Sequence, residues 1–87
     1  MFLHIGQDVI INQKDILGIF DMDTATVSKH TRDLLKEAEK KGEVITVTYE
    51  LPKSFIICTE NKERRIYLSQ LSTATLLKRT ASIEYLS

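Results

Sequence analysis

One cysteine, one proline and three glycines are all that this 87-residue chain holds of the residues that staple, punctuate or bend a backbone. Each shortage excludes something. A lone Cys58 cannot close an intramolecular disulfide, and His4 and His30 do not join it in the paired spacing of a structural zinc site, so no metal is expected. A single thiol suits a reducing compartment. With Pro52 alone and no Pro/Gly/Ser-rich linker, the chain reads as one domain over residues 1–80 followed by a tail at 81–87. Gly6, Gly18 and Gly42 stand too far apart to form a phosphate-cradling loop. The first eight residues have no basic region ahead of a long apolar core, and no run is long enough to span a membrane. The expected location is the cytoplasm, without membrane contact.

Net charge is also missing: twelve basic residues cancel twelve acidic ones. The halves differ, however. Residues 1–50 carry six Lys/Arg against nine Asp/Glu, and residues 51–87 carry six against three. That asymmetry permits a local anion-binding face on a neutral protein, although an ordinary solvated surface would look the same. A chain of this size buries only about 60–65% of its unfolded surface. Without disulfide or metal, self-association is a physically motivated expectation.

What is present reads as α+β: a small antiparallel sheet or meander, one main helix and a short C-terminal helix. Phe2-Leu3-His4-Ile5, Val9-Ile10-Ile11 and Ile16-Leu17-Gly18-Ile19-Phe20 are short β-branched and aromatic runs separated by polar turns, the pattern of a β-meander. Gly18 inside an apolar run marks a bulge or a close backbone approach. Asp21-Met22-Asp23-Thr24 offers N-cap chemistry for a helix of about sixteen residues. Val27, Leu34, Leu35 and Ala38, with Thr31 between, form its buried stripe, and Gly42 its left-handed cap. In Val44-Ile45-Thr46-Val47-Thr48-Tyr49 the alternation turns Ile45, Val47 and Tyr49 one way. Phe55-Ile56-Ile57-Cys58 is apolar on both sides, which suits a central strand or one covered by another subunit. Arg64 to Leu68 is its return arm. Ser72 or Thr73 caps the closing helix, and the tail is frayed or an added edge strand.

No catalytic constellation emerges. A lone histidine needs an orienting partner to act as a base, and neither His4 nor His30 has one in any motif. Burial would make the Cys58 thiol inert. Capping accounts for Asp21 and Asp23. Neither an enzyme, a cofactor nor a small-molecule substrate is expected.

Thr48-Tyr49-Glu50-Leu51-Pro52-Lys53-Ser54-Phe55-Ile56-Ile57, then Ile66-Tyr67-Leu68-Ser69, Ser72-Thr73-Ala74-Thr75-Leu76 and Lys78-Arg79, resemble the bacterial extracellular-matrix regulator family, closer to its RemB-like branch. His4-Ile5-Gly6, Val9-Ile10-Ile11 and Asp15-Ile16-Leu17-Gly18-Ile19-Phe20-Asp21 fit the same pattern, so the resemblance covers all but the tail. It implies a transcriptional regulator of biofilm-matrix genes that binds DNA as a closed ring, on a fold likened to LytTR-type domains. The RemA-like branch contacts DNA through adjacent arginines in the turn before the central strand. Here that turn reads Leu51-Pro52, leaving Lys53 as the nearby cation, and a further arginine position falls at Lys14-Asp15. The candidate DNA contacts are therefore Lys53, Lys14, Arg64 and Arg65, acting on phosphates with specificity from DNA shape. The alternative is an oligomeric module with little DNA affinity that regulates through a protein partner.

Overall fold

A computed structural model describes residues 1–86, with side chains through Thr80. In chain order it contains β1 (Phe2–Gly6), β2 (Val9–Asn12), a 3-10 turn (Gln13–Asp15), β3 (Ile16–Asp21), α1 (Met22–Ala25), α2 (Lys29–Lys40), β4 (Val44–Thr46), β5 (Ser54–Glu60), β6 (Glu63–Ser69) and α3 (Thr73–Leu86). The architecture is α+β, as expected, but the strands divide between two sheets. β1 and β2 make an antiparallel hairpin, and the other four lie in the order β3-β5-β6-β4. The expected meander therefore stops after two strands. β3 leaves β2 and pairs antiparallel with β5, setting Phe20 opposite Phe55 and Ile19 opposite Ile56. β5 and β6 form the expected hairpin, and β4 joins β6 in parallel, Ile45 opposite Tyr67.

The apolar residues of β5 show why this sheet is central. Successive side chains point to opposite faces, and both faces are covered. On one, Ile56, Cys58 and Tyr67 meet Leu3, Ile5 and Ile11 of the hairpin, with Val47 and Leu76 of α3. On the other, Phe55 and Ile66 pack with Ala38 of α2, flanked by Met22, Leu35 and Leu68. Each large side chain fully buried in this way contributes roughly 1.5–3 kcal/mol. The coverage comes from the chain's own hairpin and helices, so Phe55, at 1% exposure, is not left for another subunit to bury.

Two local expectations are corrected. The sixteen-residue helix is broken at residues 26–28. Asp21 Oδ1 accepts the Thr24 N–H at 3.0 Å and starts α1, the Thr26 hydroxyl bonds back to the Met22 carbonyl, and Arg32 Nη1 donates to the carbonyls of Thr26 and Val27. Val27, assigned to the buried stripe, is 77% exposed at the break. Leu35 and Ala38 do pack inward, and Leu34 is half-buried. The second correction lies in β4, which ends at Thr46; Val47 and Thr48 are buried, but Tyr49 stands in solvent.

Gly42 has φ +73°, and behind it the Glu43 and Gly42 N–H groups return to the Ala38 and Glu39 carbonyls, the Schellman closure of a helix. Gly18 follows a register shift in β3, and a Cβ there would lie 2.6 Å from the Phe20 ring. The Ser72 hydroxyl accepts the Thr75 N–H and caps α3. That helix runs past residue 80, over the segment read as frayed tail or edge strand. Side chains beyond Thr80, and Ser87 altogether, lie outside the described residues.

Candidate nucleic-acid interface

The loop between β4 and β5, residues 47–53, is fixed at its base. The Val47 N–H reaches the Leu68 carbonyl at 3.0 Å, and the Lys53 N–H reaches the Ser69 carbonyl at 2.8 Å. The Lys53 carbonyl accepts from the Met22 N–H at 2.9 Å, tying the loop to the start of α1. Below it, the buried Ser54 hydroxyl donates to the Leu71 carbonyl, and the buried Ser69 hydroxyl donates to the Ile5 carbonyl and accepts from the Leu71 N–H. With every hydroxyl of that pair satisfied, the polar base stiffens the loop. Thr48 Oγ1 accepts the Glu50 N–H and shapes the tip.

Out of this base stand Tyr49, at 107% exposure, and Leu51, at 88%. Lys53 is exposed, and its ammonium makes no ion pair or hydrogen bond among the described residues. Carboxylates are close by. Asp21 pairs with Ser54 across the ladder, and the backbone N–H of Thr24 holds its carboxyl below the usual range, hence charged. Asp23 and Glu50 are exposed nearby in the chain. Lys53 is thus an available cation in a locally acidic setting.

The other three candidates lie at the opposite end of the sheet. Ile16, Cys58 and Arg65 form one transverse row, with Lys14 in the 3-10 turn just before it. Cys58 of that row lies five positions along the chain from Lys53, roughly 17 Å of extended backbone. Lys14 is exposed, with its N–H bonded to Asn12 Oδ1 and its ammonium unpaired among the described residues. Arg64 and Arg65, adjacent in a strand, project to opposite faces of the sheet, and each already has a carboxylate. Arg64 donates through Nε at 3.0 Å and Nη2 at 2.7 Å to Glu43 Oε1, and Arg65 Nη2 to Glu63 Oε2 at 2.9 Å. They line an open depression with Lys41, Lys62, Glu43 and Glu63, in which four cations outnumber two carboxylates. One subunit therefore does not gather the four candidates into a single patch.

The sequence reading missed Glu43, which lies twenty-one positions from Arg64 with no local signal to join them. It also set Tyr49 on the same strand face as Val47, whereas Val47 is buried and Tyr49 is in solvent. The apolar composition of a turn made of Tyr49-Glu50-Leu51-Pro52, where Gly, Asn, Asp or Ser would be usual, was the available sign of an exposed tip.

The cysteine, a buried tyrosine and the two histidines stand outside this set of candidate cations. Burial pushes the Cys58 thiol up to about 12, with the charges of Glu60 and Asp15 adding to it. Tyr67 is raised by burial and by donating its hydroxyl to Glu60 Oε1 at 2.7 Å. His4 Nε2 is held by the Gln7 carbonyl, and His30 is exposed on α2. Among the described residues no group of three or more His, Cys, Asp or Glu side chains could hold a metal ion, and no helix is long and apolar enough to cross a membrane.

Residues 2–80 match the family described as extracellular matrix regulatory protein A-like. The chain is also 37% identical over 79 residues to extracellular matrix regulatory protein B of Bacillus subtilis (strain 168), covering 91% of this chain and 89% of that protein.

Proposed function

Because the chain belongs to the RemA-like family of extracellular matrix regulatory proteins, we propose that it is a cytoplasmic regulator of biofilm-matrix genes that grips DNA as a closed homo-oligomer. The observation that carries this reading is the pinned turn 47–53, which presents an unpaired Lys53 on a base that cannot fold away. The family resemblance implies DNA contact at this same turn. Of the four candidates a lone subunit offers two unpaired cations, Lys53 and Lys14, and these alone would reach only the ~10⁻⁴ M end of non-specific affinity at physiological salt. Repeating them around an assembly supplies later contacts at high effective concentration and raises avidity by about 10²–10⁴-fold. Micromolar binding is then within reach for a chain of zero net charge.

Apolar residues on the outer face of the β1–β2 hairpin support self-association: Phe2 is 65% and Ile10 60% exposed, beside an exposed Met1. Closing a ring over them would also shelter the strand edges.

Gel shifts on matrix-promoter DNA at rising salt test the proposal. Micromolar or tighter binding that falls steeply with salt, and a shallower slope for Lys53→Ala, are the expected results. Absence of binding by the wild-type oligomer at low salt would overturn it. One observation favours a second reading, regulation through a protein partner: Arg64 and Arg65 are held by Glu43 and Glu63, and Lys53 sits among acidic neighbours.

A further inference from the structure

Two apolar side chains fully in solvent at the tip of one rigid loop need an explanation. Among the described residues, Tyr49 and Leu51 are the two most exposed large hydrophobics, at 107% and 88%, and lie two positions apart. Pro52 follows directly, fixing its own φ and restricting the residue before it to extended backbone. The loop cannot retract to bury them, because backbone bonds from Val47 and Lys53 hold both its ends to β6, and Met22 holds the Lys53 carbonyl. The result is a stiff apolar point with a cation at its shoulder.

We propose that this point is a wedge for nucleic acid: Leu51, supported by Tyr49, enters between stacked base pairs from the minor groove while Lys53 takes the adjacent phosphate. The inference rests on the DNA reading above and adds how the loop would engage the duplex. Apolar side chains such as Leu and Pro serve this purpose because a partly unstacked step exposes base faces that an aliphatic group covers, and the kink wraps more DNA onto the protein. Flexible pyrimidine–purine steps such as TA unstack most readily, so the wedge also gives sequence preference to a surface without a base-reading helix. A loop held at both ends suits the task, since little ordering entropy is lost on insertion. Glu50, between the two apolar residues, and Asp21 and Asp23, beside Lys53, oppose nearby phosphates and limit affinity.

The test uses the full chain and a mixed-sequence duplex carrying 2-aminopurine at its TA steps, whose fluorescence rises when the base loses its stacking partner. Saturating wild-type protein should raise the signal. The double variant Tyr49→Ala/Leu51→Ala removes only solvent-exposed atoms, and circular dichroism checks that it is folded. It should lose the fluorescence rise and about tenfold or more in affinity. Lys53→Ala should bind more weakly with a flatter salt slope, yet still raise the signal at saturation. Binding by the wild type without a fluorescence rise, or wild-type behaviour by the double variant, overturns the wedge and leaves the DNA reading standing. No binding by the wild type at low salt overturns both, and the exposed tip then belongs to the protein-partner reading.

Discussion

Arg64 meets Glu43 with two of its N–H groups on one carboxylate oxygen, at 3.0 and 2.7 Å, binding β6 to the residue that leads into β4. The same two strands are already paired in parallel through Val44 and Ile66, and the Ile66 N–H donates to the Glu43 carbonyl. The side-chain bridge therefore reinforces a backbone contact, and it occupies a guanidinium that sequence alone assigned to DNA.

Removing either partner should cost little. The side chains are 33% and 21% exposed, so solvent screens the pair, and a double-mutant cycle of Arg64→Ala and Glu43→Ala should give a coupling of about 0.5–1 kcal/mol in urea titrations. It should shrink in high salt. Glu43→Gln frees Arg64, and the variant should bind DNA more tightly than wild type if that arginine contributes a phosphate contact.

Alkaline pH should destabilise the fold in two stages. The buried Cys58 thiol is pushed up to about 12, whereas in an unfolded chain it releases its proton near ~8.5. Between those values the unfolded state binds fewer protons, so unfolding free energy falls as pH rises, by up to ~1.4 kcal/mol per pH unit. Tyr67, also raised, adds its own loss once the unfolded chain passes about pH 10. Urea midpoints from pH 7 to 10.5 should show the decline, and Cys58→Ala should flatten the part below about pH 10. In the native state near neutral pH, iodoacetamide should leave the thiol intact and modify it only after unfolding.

Gly18→Ala should destabilise by about 1–2 kcal/mol through one neighbour. The added methyl meets the Phe20 ring at 2.6–2.7 Å, so the ring must shift against Phe55, on which it stacks with centroids 5.1 Å apart. In a Phe20→Ala background the same substitution should cost much less, which thermal melts of the four proteins in the cycle would measure.

Assembly should respond to the outer face of the hairpin. Phe2→Lys or Ile10→Lys alters an exposed side chain, leaving Leu3, Ile5 and Ile11 in the core. Light scattering at tens of micromolar should find wild type as a homo-oligomer and either variant as a smaller species with unchanged circular dichroism. A monomeric wild type would remove the basis for multivalent DNA binding.

The elements that could be read from sequence were those whose cause is local. Phe55 to Cys58 announced a strand covered on both faces, Gly42 a helix end and Gly18 a bulge, because each depends on a few consecutive residues. The helix break at residues 26–28 carries no Gly or Pro; it depends on the Thr26 hydroxyl and on Arg32 reaching back to two carbonyls. The choice of β5 rather than β2 as the partner of β3 is likewise absent from any local pattern, because both neighbours satisfy the same alternation. For the candidate site, the exposure of Lys53 and Lys14 followed from their polarity, but their separation along β5 and the capture of Arg64 by Glu43 required the tertiary arrangement.

The hairpin's attachments have a consequence for how the chain is made. Ile5 offers its carbonyl to Ser69, sixty-four positions later, and His4 offers its carbonyl to Arg79, seventy-five positions later. During synthesis, which proceeds from the N-terminus, β1 and β2 emerge ahead of the sheet and can pair at once, yet the sheet they cover is completed only when β6 appears. Leu3, Ile5 and Ile11 must wait in water until β6 has been made, as an uncovered two-stranded ribbon able to stick to other nascent chains. Strand β6 and helix α3 thus lock a hairpin made long before them, and a product that stops short of Ser69 has a hairpin with nowhere to dock.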